Sequence, residues 1–323
     1  DSRTYLRYSV EAEDKGFDFV FFADSQMIYR DPFVNMAVVS EVTSKVKMGT
    51  LATSVITRHP TVIACSAVTL HELSRGRMIL VLGTGDSSVR RIGMNPASLA
   101  EFEKSVYLIQ RLMRGEKLSF GSYDFGIGFA RDGPPVYTIA TGPKVLQLSG
   151  RVGDGAVVNV GPALTSWALN NVRRGAVEAG LDPHKRDLFW CGFCMVDEDR
   201  RRAIARVKPS VSWFAVNFPR MIEETGVNPT KELWDEVEKF RRNYARYDLV
   251  HSDVWEQAVR DASFIPDDIA KKLALAGTPE DIIHELRRLE GLGIEKVIIR
   301  PPSTEDWKQV FTLFADYVLP TFK

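Results

Sequence analysis

Three cysteines and five histidines in 323 residues leave little material for a disulfide framework or a metal cage. So few cysteines point to a reducing compartment, the cytoplasm. Cys191 and Cys194 do form a C-x-x-C, but inside "LFWCGFCMV", which reads as a strand. A redox pair uses a helix N-terminus to lower its thiol pKa. A strand instead sends positions 191 and 194 to opposite faces, so both are read as structural. No H-E-x-x-H or H-x-H spacing and no carboxylate cluster of metal-site spacing occurs, so no metal is expected. Neither sign of charge dominates, with Lys plus Arg and Asp plus Glu both at 42. Nucleic acid and anionic membrane both demand a basic surface, so neither is expected as a partner. No apolar run reaches the roughly 18 residues of a membrane span.

What the chain has is alternation. Short apolar runs at Phe17–Ala23, Val46–Ser54, Met78–Leu82, Val136–Thr141, Ala156–Val160, Leu188–Val196 and Lys296–Arg300 are β-branched or aromatic and nearly continuous. Strands buried on both faces have that composition. Amphipathic helices separate them. Ile63, Ala67 and Leu70 share a face in Pro60–Leu73, and Leu99, Phe102, Val106, Ile109 and Met113 share one in Ser98–Arg114. Ser98 with Glu101 predicts a capping box, and Thr278-Pro279-x-Asp281 predicts another helix start. Strict alternation implies a parallel sheet with helical cover, an open sheet or a (β/α)8 TIM barrel. A barrel needs one strand more than these seven. The chain opens on a helical pattern, "TYLRYSVEAEDKG", so strand one is expected to be missing from the chain as given. The whole, residues 1–323, reads as a single domain.

Residues 197–276 break the alternation. They are charged and helical, with Trp213, Phe214, Phe218, Trp234, Phe240, Tyr244, Tyr247 and Trp255 interspersed. The stretch is read as a helical insertion after strand seven. Its aromatics pack on one another, cover the mouth of the barrel as a lid, or do both.

One loop raises a sharper question. "LVLGTGDSSVRR", Leu80–Arg91, is glycine-rich after an apolar run, yet Ser88 stands where a dinucleotide fingerprint needs its third glycine. No Gly-Lys-Ser/Thr follows, which excludes a Walker loop. "FFADSQ" (Phe21–Gln26), "TSVITRHP" (Thr53–Pro60) and "GTGDSS" (Gly83–Ser88) fall just past strand C-termini, the catalytic face of such a barrel, and "PPVYTIATGPKVLQLSGRVGDGAVV" (Pro134–Val158) is a fourth motif.

With the order "TRHP…TL.ELS.GR…G.GTGDS" the chain resembles the luciferase-like superfamily of TIM barrels. Within it, the closest likeness is to the deazaflavin (coenzyme F-420) branch, which includes methylenetetrahydromethanopterin reductases and F-420-dependent glucose-6-phosphate dehydrogenases. The resemblance covers nearly the whole length and is weakest across the insertion. It implies an oxidoreductase that moves hydride between F-420 and a small organic substrate. The alternatives are an FMN-dependent two-component monooxygenase served by a separate flavin reductase, and a non-catalytic flavin-binding homologue. The resemblance further implies a non-proline cis peptide at Ser54-Val55 behind the ring, and a homodimer formed through the early helices. The matching cofactor-binding positions are Thr53, Ser54, Val55, Thr84, Gly85, Thr141, Gly142, Pro143 and Val160. The matching catalytic positions are Asp86, Asp24 and Ser25. Luciferases that use FMN often grip its phosphate with an arginine near the position of Thr84, and its absence tilts the reading toward the deazaflavin. Ser25 replaces the histidine of the sugar dehydrogenases, which puts their substrate in doubt. Asp86 is an acid or base if buried, or simply a favourable charge at a helix start.

Overall fold

A computed structural model of the chain describes residues 1–212, 218–244 and 254–323. They form two compact units, one of Asp1–Val157 with Asn171–Asp187, the other of Val158–Asn170 with Leu188–Lys323.

In the first unit, the continuous apolar runs become a sheet ordered β1 (Phe19–Phe22), β2 (Lys47–Thr50), β4 (Met78–Gly83), β7 (Val136–Ala140) and β8 (Gly155–Val158). Every pair with a defined register, β1–β2, β2–β4 and β4–β7, is parallel. All six residues of β4 are buried, which is why its sequence does not alternate. Helices α2 (Pro32–Val42), α3 (Pro60–Leu73) and α5 (Leu99–Met113) bury Met36, Ile63, Ala67, Phe102 and Val106 against Met48, Leu80 and Leu82 of the sheet. Each large side chain removed from water there contributes about 1.5–3 kcal/mol. The expected face of α3 and the Ser98–Glu101 capping box are both present.

Two features of this unit differ from the sequence reading. The expected strand at 46–54 is broken: β2 ends at Thr50, and a separate pair, β3 (Thr53–Ser54), resumes against Leu82 and Gly83 of β4. The Leu51 amide still donates to the Phe22 carbonyl of β1, and pairing with β4 resumes only at Thr53. A short antiparallel hairpin, β5 (Leu118–Phe120) with β6 (Tyr123–Phe125), follows α5 and has no counterpart in the sequence analysis.

An acidic side chain ties the sheet's N-terminal edge to the first helix, α1 (Ser2–Lys15). The Glu13 carboxylate accepts from the backbone amides of Ser44 at 3.0 Å, Lys45 at 2.6 Å and Val46 at 2.7 Å. Burial pushes its pKa up, but these backbone bonds outweigh that and hold it at about 2 against an ordinary 4.5. The folded value is depressed, so the stabilisation is complete above pH 4.5 and is lost as pH falls toward 2. Replacing Glu13 with Gln is expected to lower Tm at neutral pH and to flatten acid unfolding in that window. Thermal melts of both proteins between pH 2 and 6 would show it, and parallel curves would reject it.

Two more helices, α6 (Pro143–Arg151) and α7 (Thr165–Glu178), cross at glycines. A Cβ on Gly150 would lie 2.0 Å from the Val172 carbonyl oxygen, and one on Gly175 would lie 1.8 Å from that of Gln147. Backbone meets backbone there because neither helix carries a side chain at the crossing.

In the second unit, β9 (Asp187–Val196) has its residues from Leu188 onward flanked by two parallel partners. β10 (Leu275–Gly277) pairs with Cys194–Val196 and β11 (Lys296–Arg300) with Phe189–Phe193. Strand β10 was not expected, because 197–276 reads as helical; pairing with β9 makes it a strand. Cys191 and Cys194 are free and buried, and burial pushes the Cys194 thiol up to about 12. Such thiols are inert at neutral pH. The Thr278–Asp281 capping box forms as expected. Among the described residues of 197–276 are the helices α8 (Arg200–Val211), α9 (Phe218–Thr225) and α10 (Lys231–Asn243). Phe240 packs on Tyr244 at 4.7 Å and on Phe264 at 6.3 Å, and Trp255 is fully buried, so aromatic packing is present. Trp213, Phe214 and Tyr247 lie outside the described residues.

Candidate active site

The loops after β1, β3, β4 and β7 carry most of the residues that the sequence singles out. Asp24, just past β1, is buried and accepts a hydrogen bond from the Thr53 hydroxyl. It also takes two bonds from the Arg58 guanidinium, Nε at 2.9 Å and Nη2 at 3.3 Å. Arg58 Nη2 reaches Asp31 at 2.6 Å as well, and the guanidinium lies 5.0 Å over the Phe33 ring. Burial alone would lower the Arg58 pKa; the bonds it donates to Asp24 and Asp31 outweigh that and raise it. Bonds to Arg58 and Thr53 hold the Asp24 side chain in place and tie the end of β1 to that of β3. Arg58 lies within the "TSVITRHP" motif, which by itself suggests no role for it. A lone arginine following a buried strand, with an aspartate ending the neighbouring one, was the available signal.

Ser25 and Ser87 meet hydroxyl to hydroxyl at 2.5 Å. Beside them, the Gln26 side-chain amide donates to the Ser88 carbonyl at 2.5 Å. "FFADSQ" and "GTGDSS" are therefore stitched together by two polar contacts. Neither Gln26 nor Ser87 was singled out from sequence.

The non-proline cis peptide is Leu51-Ala52, which corrects the expectation of Ser54-Val55. It lies in the two-residue break between β2 and β3, whereas Ser54 is already paired in register with Gly83. Thr53, Ser54 and Val55 are all buried. Gly85 adopts φ +99°, and a Cβ there would lie 2.9 Å from both Ser54 Oγ and Val89. Its need for glycine thus comes from the chain itself, before any ligand. Thr84, beside it, is half-buried.

Asp86 turns to Arg90, one helical turn on, at 3.2 Å and is 43 % exposed. Its side chain makes no capping bond to the short helix it precedes. An ion pair this exposed contributes little to stability.

The fourth loop ends β7. Thr141 and Gly142 lead into α6, with Pro143 at its first turn and no side chain capping it. A Cβ built on Gly142 meets nothing within 4 Å. Open space before an uncapped helix start is a cradle for an anion, since free amides and the positive end of the dipole face it. Val160, the remaining expected cofactor contact, is fully buried in the second unit just past β8.

Comparison with known proteins fits this layout. The family model described as luciferase-like monooxygenase matches residues 1–296, and the chain belongs to that family. A 5,10-methylenetetrahydromethanopterin reductase of Archaeoglobus fulgidus is 26% identical over 333 aligned residues, covering 98% of this chain and 96% of the relative. An F-420-dependent glucose-6-phosphate dehydrogenase of Beutenbergia cavernae is 31% identical over 261 residues, covering 72% and 74%. The solved structure of the coenzyme F-420 dependent tetrahydromethanopterin reductase from Methanopyrus kandleri superposes with a TM-score of 0.81 at 21% identity, covering 100% of this chain and 96% of that one. The fold is the luciferase-like TIM barrel. Among the described residues no cluster of His, Cys, Asp or Glu could hold a metal, and no helix is long and apolar enough to cross a membrane.

Proposed function

We propose that the chain is an oxidoreductase that transfers hydride between deazaflavin coenzyme F-420 and a small organic substrate. The observation that carries this is the open cradle at Gly142, in a chain aligned almost end to end with a methylenetetrahydromethanopterin reductase and over about three quarters with an F-420-dependent dehydrogenase. Thr141, Gly142 and Pro143 would hold the cofactor's phosphate through the start of α6. Thr53, Ser54, Val55, Thr84 and Gly85 would bound its ring system. When bound, the deazaflavin supplies the hydride chemistry. The protein's part is to bind, orient and exclude water. Asp24, held by Arg58 and Thr53, keeps the ends of β1 and β3 in place, while Ser25 faces the substrate side.

FMN, delivered by a separate reductase for monooxygenation, is the second reading, and the family's description favours it. The cradle serves either phosphate. Titrating the protein with each cofactor and following its long-wavelength absorbance separates the two. Saturable binding of F-420 with an oxygen-stable reduced form is expected. Binding of FMN alone, with oxygen consumed on reduction, would replace the first reading by the second. Tight cofactor binding with no hydride transfer to any acceptor would leave a non-catalytic flavin-binding homologue.

Asp86 tests the acid–base assignment. If it exchanges the substrate's proton, Asp86→Asn should lower turnover by about 10²–10⁴-fold with cofactor affinity unchanged. Full turnover in that variant would limit Asp86 to its pair with Arg90.

A homodimer through α2 is part of the proposal. Phe33, Met36 and Val39 face the core, yet Val34, Val38 and Val42 are 65%, 45% and 50% exposed. Their spacing of four puts all three on one stripe of the helix. Sedimentation at micromolar concentration is expected to give twice the chain mass of 36.3 kDa, and a monomer would reject it.

A further inference from the structure

We propose that the Ser25–Ser87 hydroxyl pair is the hydrogen-bond donor that positions the substrate's reacting group, so the substrate is a neutral carbonyl or imine that receives hydride. This rests on the F-420 reading above.

The site offers few other protic groups for that task. Asp24 has its oxygens committed to Thr53 and Arg58. Arg58 is shared between two carboxylates and stacked on Phe33. Asp86 is paired with Arg90 at 3.2 Å. The two serines differ from these. They sit at the ends of β1 and β4, Ser25 is 8% exposed, and their oxygens are 2.5 Å apart. Each hydroxyl has one proton and two acceptor lone pairs. Within the pair one proton is used internally, which leaves one free to donate outward. A hydroxyl that accepts from no neighbour is a weaker donor than one that is itself polarised by a hydrogen bond. The pair is therefore a single, directed, uncharged donor.

That donor suits one class of partner. A carbonyl oxygen or imine nitrogen accepts the bond, and its negative charge grows as hydride arrives at carbon, so the bond strengthens along the reaction. The balance is simple. Two electrons and one hydrogen reach the acceptor carbon, the C=O or C=N π pair moves onto the heteroatom, and a proton from solvent completes it by way of the pair. The reduced deazaflavin is the co-reactant and is left oxidised. An alcohol substrate in the reverse direction asks for a base near neutral pH, and a serine pair without an imidazole is a poor one.

The experiment uses the full chain loaded with F-420 and compares wild type with Ser25→Ala, Ser87→Ala and Ser87→Thr. Cofactor affinity and Tm are measured first; absence of F-420 binding in wild type would sink the parent reading, not this one. Acetamide then serves as a dead-end probe, because its carbonyl accepts the bond but takes no hydride, and its binding is read from the perturbed absorbance of bound cofactor. Expected is an affinity about 10-fold weaker in either alanine variant and restored in Ser87→Thr. With the reduced cofactor, small ketones and imines should reoxidise it in wild type, and on the order of 10²-fold more slowly in the alanine variants, mostly in kcat. Matching hydrocarbon alkenes, lacking the heteroatom, should not. Unchanged acetamide affinity in the alanine variants would overturn the proposal. So would equal losses of cofactor affinity and Tm in them, since the pair would then only fasten two loops. Failure of every ketone and imine with wild type would overturn the substrate class.

Discussion

Gly142→Asp is expected to leave the protein slightly more stable and nearly unable to bind its cofactor. The two effects have opposite signs because they act on different partners of one helix end. Residue 142 is the N-cap of α6 with φ −89° and ψ 156°, backbone that any residue adopts, and nothing lies within 4 Å of its Cβ position. Aspartate is a better N-cap than glycine by a few tenths of a kcal/mol, because its carboxylate accepts from the amides of the first turn. Those amides are the ones a phosphate would use. A fixed carboxylate both occupies them and repels the anion, and like charges brought together in this way cost several kcal/mol. At 1.4 kcal/mol per factor of ten, affinity for F-420 or FMN should fall by at least about 10²-fold. Thermal melting with fluorescence titration reads both quantities. A lower Tm would show that the cradle is not open, and unchanged affinity would move the phosphate elsewhere.

Gly175→Ala should produce the largest loss of stability available from a single methyl group here. The added carbon would fall 1.8 Å from the Gln147 carbonyl oxygen and 2.6 Å from its carbon. Both belong to helix backbone, so no rotamer change relieves the overlap and α6 must shift away from α7. Overpacking typically costs about 1–3 kcal/mol, and occasionally more when backbone has to move. The expected loss is at the top of that range, read as a drop in Tm and in denaturation midpoint. Gly180→Ala is a fair control for glycine removal near the same helix end, although its φ of +70° carries its own strain; its Cβ meets nothing. A Gly175 variant as stable as wild type would mean that the helices cross less closely than described.

The local signals in the sequence were readable, and the distant ones were not. Ser98 with Glu101 and Thr278 with Asp281 form their caps because both partners lie within one helical turn. Buried strands such as β4 declared themselves by unbroken apolar composition. Leu275–Gly277 did not, since three residues become a strand only by lying against Cys194–Val196. The cis peptide fell three residues from its expected place because a break in the β2–β3 ladder depends on cross-strand pairing that composition does not report. Gly85 was marked from sequence as a cofactor contact; its closeness to Ser54 and Val89, which a Cβ there would meet at 2.9 Å, is visible only in the structure. Asp24 was marked as reactive, and only the structure pairs it with Arg58, 34 residues away.

Those spans have a consequence for how the protein acquires its site. The bond from Asp24 to Arg58 closes a loop of 34 residues, and the bond from Ser25 to Ser87 closes one of 62. Both wait on parallel strands that cannot pair until the intervening helices are in place. During synthesis, then, the mouth stays unformed until the chain has been extended well past Ser87, and the loops that carry Asp24, Ser25 and Arg58 are exposed in the meantime. Fragments that stop before β4 should be unable to assemble it, whereas a break placed in a surface turn beyond it, such as the hairpin tip at Gly121, should allow two pieces to reassociate around an intact mouth.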